Sequence, residues 1–192
     1  MSTLIPLCQG VGAVAADFWV ALPWGRAINA GRATGDGRKL DRIMSALELV
    51  GPLLALCAAA HKCRGAAVRI WVDNAGSVLI FKKGYSISCP YSSAIATAIS
   101  TVAAGIGCHL DIQKITRCSN DGALLTDCLS KGAMVKFWQI ADRNNEFSLP
   151  FCPLMIPTVL RDWVEKPCPD FDLGEKLLKE LAGTGPVLGY SL

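Results

Sequence analysis

Residues 66–72 read Ala-Ala-Val-Arg-Ile-Trp-Val and end at Asp73-Asn74. A short run rich in β-branched and aromatic side chains, closed by turn formers, is the pattern of a central strand covered on both faces of a parallel sheet. Parallel strands cannot be joined by a tight hairpin and need a crossover, usually a helix. This run therefore points to an α/β fold. Residues 109–115 supply a second such strand through Leu110, Ile112 and Ile115, and helical segments are expected between the two, over 75–82 and 91–106.

Upstream, Ile43, Met44, Leu47, Val50, Leu54 and Cys57 recur near the helical period. A helix is expected over 44–62, with Ser45 as a cap, Glu48 three positions on, and a break or kink at Pro52. Residues 10–22 carry Val, Phe and Trp among glycines before Pro23 and read as a strand or bent hairpin arm, followed by a turn-rich, mildly basic connection over 25–41. A further helix is expected over 121–130. Beyond Gly132, prolines at 150, 153, 157, 167 and 169 separate two or three short helices, in the last of which Leu173, Leu177, Leu178 and Leu181 share a face. The organisation is an α/β domain over 10–132 and a short helical C-terminal extension over 133–192, which docks on the domain or on a neighbour.

With 192 residues, 52% of them hydrophobic and 18% charged, the chain can bury a core and is too apolar to be disordered. A net charge of +3 excludes a histone-like or polybasic protein, so any contact with nucleic acid must be local. Nine cysteines, several inside apolar runs, suit a reducing intracellular compartment, cytoplasmic or nuclear. The first 16 residues lack a basic stretch and are interrupted by Gln9, Gly10 and Gly12, unlike a signal peptide. The long uncharged run 84–108 holds Pro90 and many small residues, which suits a buried helix and argues against a membrane span.

Three acids fall at meaningful places: Glu48 in the first long helix, Asp73 at the carboxyl end of a strand, and Asp127 in a helix after the next strand. Ligands of open α/β sheets gather at strand carboxyl ends. Carboxylates brought together there would repel unless a cation neutralised them, and hard oxygen donors select Mg²⁺ or Mn²⁺. Metal-assisted phosphodiester hydrolysis, with ions roughly 3.5 to 4 Å apart, needs several carboxylates and no Ser-His or Cys-His pair.

Leu47-Glu48-Leu49, Trp71-Val72-Asp73-Asn74 and Leu125-Thr126-Asp127-Cys128-Leu129-Ser130-Lys131 resemble, in order and spacing, the ribonuclease H domains of retroelement reverse transcriptases. The variety found in DIRS-like, tyrosine-recombinase-type retroelements is the most similar, and the resemblance covers 10–132. It implies a ribonuclease H-like mixed sheet flanked by helices, cleavage of the RNA strand of RNA:DNA hybrids, Mg²⁺ or Mn²⁺ held by Glu48, Asp73 and Asp127, and a reverse transcriptase domain as neighbour in a parent polyprotein. The family pattern opens with an Asp on its first strand, whereas residues 1–9 hold no carboxylate and Asp17 falls where the second strand is expected. The resemblance thus implies a domain without that first strand. The His that many members carry before the last catalytic helix is also missing from Thr116-Arg117-Cys118-Ser119-Asn120.

Each residue also has a structural reading. Asp73-Asn74 can end a strand and cap the next helix; Glu48 can close a capping box with Ser45; Asp127 can pair with Lys131 one helical turn on. Lys82, Lys83, Lys114, Arg117 and Lys131 are candidate phosphate contacts, or solubilising charges. Tyr85 and Trp24 read as core or loop anchors. Cys57, His61 and Cys63 read as core, since no fourth ligand pair stands nearby at zinc spacing. Two other functions remain open: an inactive ribonuclease H-like module that binds nucleic acid or a partner protein, and an unrelated α/β small-molecule-binding domain in which Asp73 and Asp127 lie far apart.

Overall fold

The computed structural model describes residues 10–15, 18–26, 28, 37–116, 121–143 and 156–183. Asp17, Arg117 and residues 29–36 and 144–155 lie outside them.

Strands β1 (Gly10–Val14) and β2 (Trp19–Pro23) form an antiparallel hairpin in which Val11 faces Leu22 and Ala13 faces Val20 across the ladder. Alternation sends these four side chains to one face and Gly12, Val14, Trp19 and Ala21 to the other. Helix α1 (Gly37–Ala58) covers the first face. Helices α5 (Asp121–Ser130) and α6 (Met134–Ala141) build a second, smaller cluster on the other face around Leu125, Leu129 and Phe137. Gly12 permits this, because a Cβ there would stand 2.5 Å from Leu129 Cβ.

Helix α1 starts earlier than the periodicity of 43–63 indicated and runs through Pro52 without ending. It stops at Ala58, and a separate single turn, α2 (Ala60–Cys63), follows. Ser45 is therefore inside the helix and is no N-cap, so its expected capping box with Glu48 is absent.

Strands β3 (Ala67–Val72) and β4 (His109–Lys114) pair in parallel, Ile70 opposite Ile112. The crossover between them contains α3 (Ala75–Lys83) and α4 (Pro90–Gly105). Asn74 caps α3, its Oδ1 accepting from Ser77 N at 3.0 Å. Gly84, at φ 77°, ends the helix by donating to the carbonyls of Ile80 and Phe81. The uncharged run became α4, buried along Ala94, Ile95, Ala98, Ile99 and Val102. No described helix is long and apolar enough to cross a membrane.

One expectation needs correction. Val68, Ile70, Val72, Leu110 and Ile112 pack into the main core, but the opposite face of β3 and β4 is open, with Trp71 51% exposed. The pattern suggested a strand covered twice because Trp71 counts as apolar, while Arg69 and Asp111 beside it mark the wet face. Nor do the strands form one mixed sheet: among the described residues there are two separate ladders, β1-β2 and β3-β4.

The C-terminal region adds α7 (Thr158–Glu165) and α8 (Leu173–Gly183). Leu160, Trp163, Leu173 and Leu177 belong to the same core cluster as α1 and α4, so this part docks on the domain. Helix α8 lies against α4 through small residues: a Cβ on Gly174 would meet Thr101 Cβ at 2.6 Å and one on Gly105 would meet Leu178 at 2.5 Å. Glu180 fastens α8 to α7 by accepting from the free backbone N–H groups of Thr158 (2.6 Å) and Val159 (3.1 Å) at the start of α7.

Candidate functional site

The carboxyl end of β3 turns at Asp73-Asn74 into the first turn of α3. Ser77, in that turn, is fully buried and donates its Oγ to Glu48 Oε2 at 3.2 Å. Glu48 thus reaches from α1 to the first turn of α3, the helix that begins two positions after Asp73. Asn74 takes the capping role suggested for the pair, which leaves the Asp73 carboxylate on the exposed side of the turn.

Asp127 arrives from a different direction. It lies on α5, across the β1-β2 hairpin from α1, and its Oδ2 accepts from Lys131 Nζ at 2.7 Å. This is the helical pair that the spacing allowed. Among the described residues no group of three His, Cys, Asp or Glu is close enough together to hold a metal ion. Carboxylate oxygens at Glu48 and Asp73 are still the hard donors that Mg²⁺ takes, and it often takes only one or two from the protein, completed by phosphate oxygens and water.

The basic residues divide between the elements. Lys82 and Lys83 occupy the last turn of α3, Lys114 ends β4 in an exposed position, and Lys131 is committed to Asp127. Arg117 lies outside the described residues. Trp24 is buried in the core, as are Cys57 and Cys63, whereas His61 is exposed and Tyr85 is 54% exposed. Burial pushes the Cys57 thiol up to about 12, helped by the negative charge of Glu180. A thiol held there is protonated at neutral pH and makes a poor metal ligand.

Sequence reasoning missed a polar row on the open face of the parallel ladder. Arg69 and Asp111 are directly opposed in register, and the guanidinium Nε donates to Asp111 Oδ2 at 3.0 Å. Gln113 donates to the same oxygen at 2.7 Å. The Arg69 hydrogen bond leads the effects that hold the Asp111 carboxyl below the usual range, with Gln113 and the charge of Lys82 acting the same way. Arg69 also lies over the Trp71 ring, 5.7 Å from its centroid. The opposite charges at 69 and 111 were visible in the sequence, but their pairing depends on a register that only the assembled ladder supplies. A shallow cavity of about 390 Å³ opens at the start of this face over Ala67, between Arg69 and His109.

Compared with protein-family models, with curated proteins and with solved structures, the chain finds no match.

Proposed function

We propose that this chain is a ribonuclease H-like domain of the retroelement type, hydrolysing the RNA strand of RNA:DNA hybrids beside a reverse transcriptase domain. The observation that supports the reading is the Ser77–Glu48 hydrogen bond, which ties the α1 acid to the first turn of the helix that follows Asp73. The order of elements supports it too: a hairpin, a long helix, and two parallel strands joined through helices. Glu48 and Asp73 would hold Mg²⁺ or Mn²⁺ together with phosphate oxygens of the substrate. The ion would supply an activated water and charge stabilisation at the leaving oxygen. The chain's own contribution would be the Asp73 carboxylate, exposed at the end of β3, the partly buried Glu48 carboxylate held by Ser77, and Lys114, exposed at the end of the neighbouring strand, while Lys82 and Lys83 lie at the far end of α3.

The test is cleavage of an end-labelled RNA:DNA hybrid with Mg²⁺ or Mn²⁺ by the full chain, Asp73→Asn and Glu48→Gln. Cleavage by the full chain that is lost in both variants supports the reading. An uncut hybrid, or cutting that survives both substitutions, overturns it.

A second reading has its own observation. Asp127 is held by Lys131 on α5, across the hairpin from α1 and Glu48, and among the described residues no three acids gather so as to hold a metal ion. A module that binds nucleic acid without cutting it fits that arrangement. It is favoured if the full chain retains the hybrid on a gel but leaves it uncut.

A further inference from the structure

The amino end of the parallel ladder holds two thiols that the nuclease reading does not use. Cys63 closes α2 and Cys108 stands one position before β4, and both are free and buried. The turns that lead into the two strands run side by side. Gly65 N donates to Ile106 O at 3.3 Å, His109 N donates to Ala66 O at 2.9 Å, and a Cβ on Gly107 would stand 3.9 Å from Gly65 N. Ala67 is opposite His109 in the ladder, so one step back Ala66 lies opposite Cys108, roughly 4.8 Å across the strand spacing. Cys63 is tied to Ala66 in turn, because Ala66 N donates to the Cys63 carbonyl at 3.0 Å. A turn closed in this way keeps its end Cα atoms within about 7 Å.

Side-chain direction agrees. Alternation puts Ala67 and His109 on the open face, so Cys108 points with Val68 and Leu110 to the covered one. Cys63 belongs to the same core cluster. Burial raises both thiols above their ordinary value, and the charge of Cys108 adds to the rise at Cys63, so the two sulfurs are within electrostatic reach of each other. The Cys57 thiol, also in that cluster, is acted on by Glu180 instead.

We propose that Cys63 and Cys108 form a modification site, a dithiol that a small disulfide of the glutathione class converts into an intramolecular disulfide bond, stapling the entry turns of β3 and β4. The thiolate of one cysteine attacks a sulfur of the oxidant, whose other half leaves as a thiolate and takes up a proton. The second cysteine, as thiolate, attacks the protein sulfur of this mixed disulfide and expels the remaining half. Two protein S–H bonds and the oxidant's S–S bond are broken, while one protein S–S bond and two S–H bonds on released glutathione form. Two electrons pass from the protein to the oxidant.

The pair lies at the shallow edge of the core. Cys63 is 7% and Cys108 9% exposed, and their chain neighbours Lys62, Arg64, Gly107 and His109 are all exposed. A small local opening of the two turns therefore admits a tripeptide disulfide. Thiolate is scarce at neutral pH when the thiol is raised by burial, so closure is slow and answers sustained oxidation. The loop it closes contains β3, α3 and α4. None of this rests on the nuclease reading.

The experiment takes the full chain, reduced and then freed of reductant, and incubates it with oxidised glutathione at about pH 8.5, where more thiol is ionised. Mass spectrometry of unreduced peptides then maps the cysteines. The expected product is a linked Cys63–Cys108 pair two hydrogens lighter than the reduced peptides and reversed by dithiothreitol, while the exposed Cys168 takes up one glutathione. In Cys63→Ser, Cys108 should take up glutathione and keep it, since no second thiol is there to expel it. The wild-type map decides the matter even if that variant folds poorly. The linked chain should melt about 4 to 16 °C above the reduced one. The proposal is overturned if Cys63 and Cys108 stay unmodified while Cys168 reacts, or if each carries its own glutathione. A link to another cysteine or between chains overturns it too, as does a linked pair that forms only in urea or that lowers the melting temperature.

Discussion

Ser77 and Glu48, 29 positions apart in the sequence, join two helices through a hydrogen bond of 3.2 Å from a buried hydroxyl to a carboxylate oxygen. The bond has a structural consequence whether or not Glu48 does chemistry. Ser77→Ala removes the donor while leaving the partly buried carboxylate in place. The expected loss is about 1 to 3 kcal/mol of unfolding free energy. Ser77→Thr, which keeps the hydroxyl, should recover part of it. Chemical denaturation of the three proteins checks this. If Glu48 is also a metal ligand, Ser77→Ala will raise the Mg²⁺ concentration needed for half-maximal hybrid cleavage while Ser77→Thr stays near wild type, a split that a purely structural bond would not produce.

The role of Asp127 separates from its ion pair by a comparison of partners. Lys131→Met and Asp127→Asn each remove the same partly exposed contact, worth about 0.3 to 0.5 kcal/mol. Both should therefore lower the unfolding midpoint slightly and by similar amounts. For cleavage the two diverge if Asp127 is a ligand, because Lys131→Met frees a carboxylate that Asp127→Asn destroys. Equal cleavage by both variants would place Asp127 outside the chemistry.

How much of this was legible beforehand depends on the range of the interactions. The crossover helices and the strands at 67–72 and 109–114 could be read because their signals are local, β-branching and the turn formers Asp73-Asn74 among them, whereas 10–22, read as a strand or a bent hairpin arm, folds with Pro23 into two paired strands. The early start of α1 was hidden among glycines and basic residues whose helical state depends on the packing that follows. Pro52 failed to end the helix because its neighbours Gly51, Leu53 and Leu54 are fully enclosed by core, which offsets a lost hydrogen bond. In the site, nothing in the sequence marked Ser77 as the residue that ties Glu48 to the first turn of α3. The Arg69–Asp111 pair and the single open face follow from register and from which helices cover which side, and neither is encoded within one segment.

The docking of α8 on α4 has a steric signature. Alanine is ordinarily the better helix former than glycine by about 1 kcal/mol. At Gly174 that gain is opposed by Thr101 Cβ at 2.6 Å and Ala98 Cα at 3.0 Å, positions fixed by another helix's backbone. Gly174→Ala is therefore expected to destabilise by about 1 to 3 kcal/mol. At Gly183, in the last turn of the same helix, a Cβ meets nothing within 4 Å, so Gly183→Ala should be neutral or slightly stabilising. Thermal unfolding of both variants checks the contrast, and equal effects would mean that α8 is not seated on α4.

The same helix carries a pH dependence of predictable sign. Burial alone would raise the Glu180 pKa, but the N–H groups of Thr158 and Val159, which it accepts from, together hold it below the ordinary glutamate value of 4.5. A carboxyl whose folded value is depressed binds its proton more readily in the unfolded chain, so folding is favoured wherever the group is ionised. Its contribution is complete above pH 4.5 and is lost as the pH falls below that value through the folded pKa. Glu180→Gln keeps the shape and removes the charge. The melting temperature of this variant should lie below wild type at pH 7 and approach it as the solution is taken below pH 4.5. A gap that stays constant down to the acid limit would mean that Glu180 holds α7 to α8 by packing alone, without its charge.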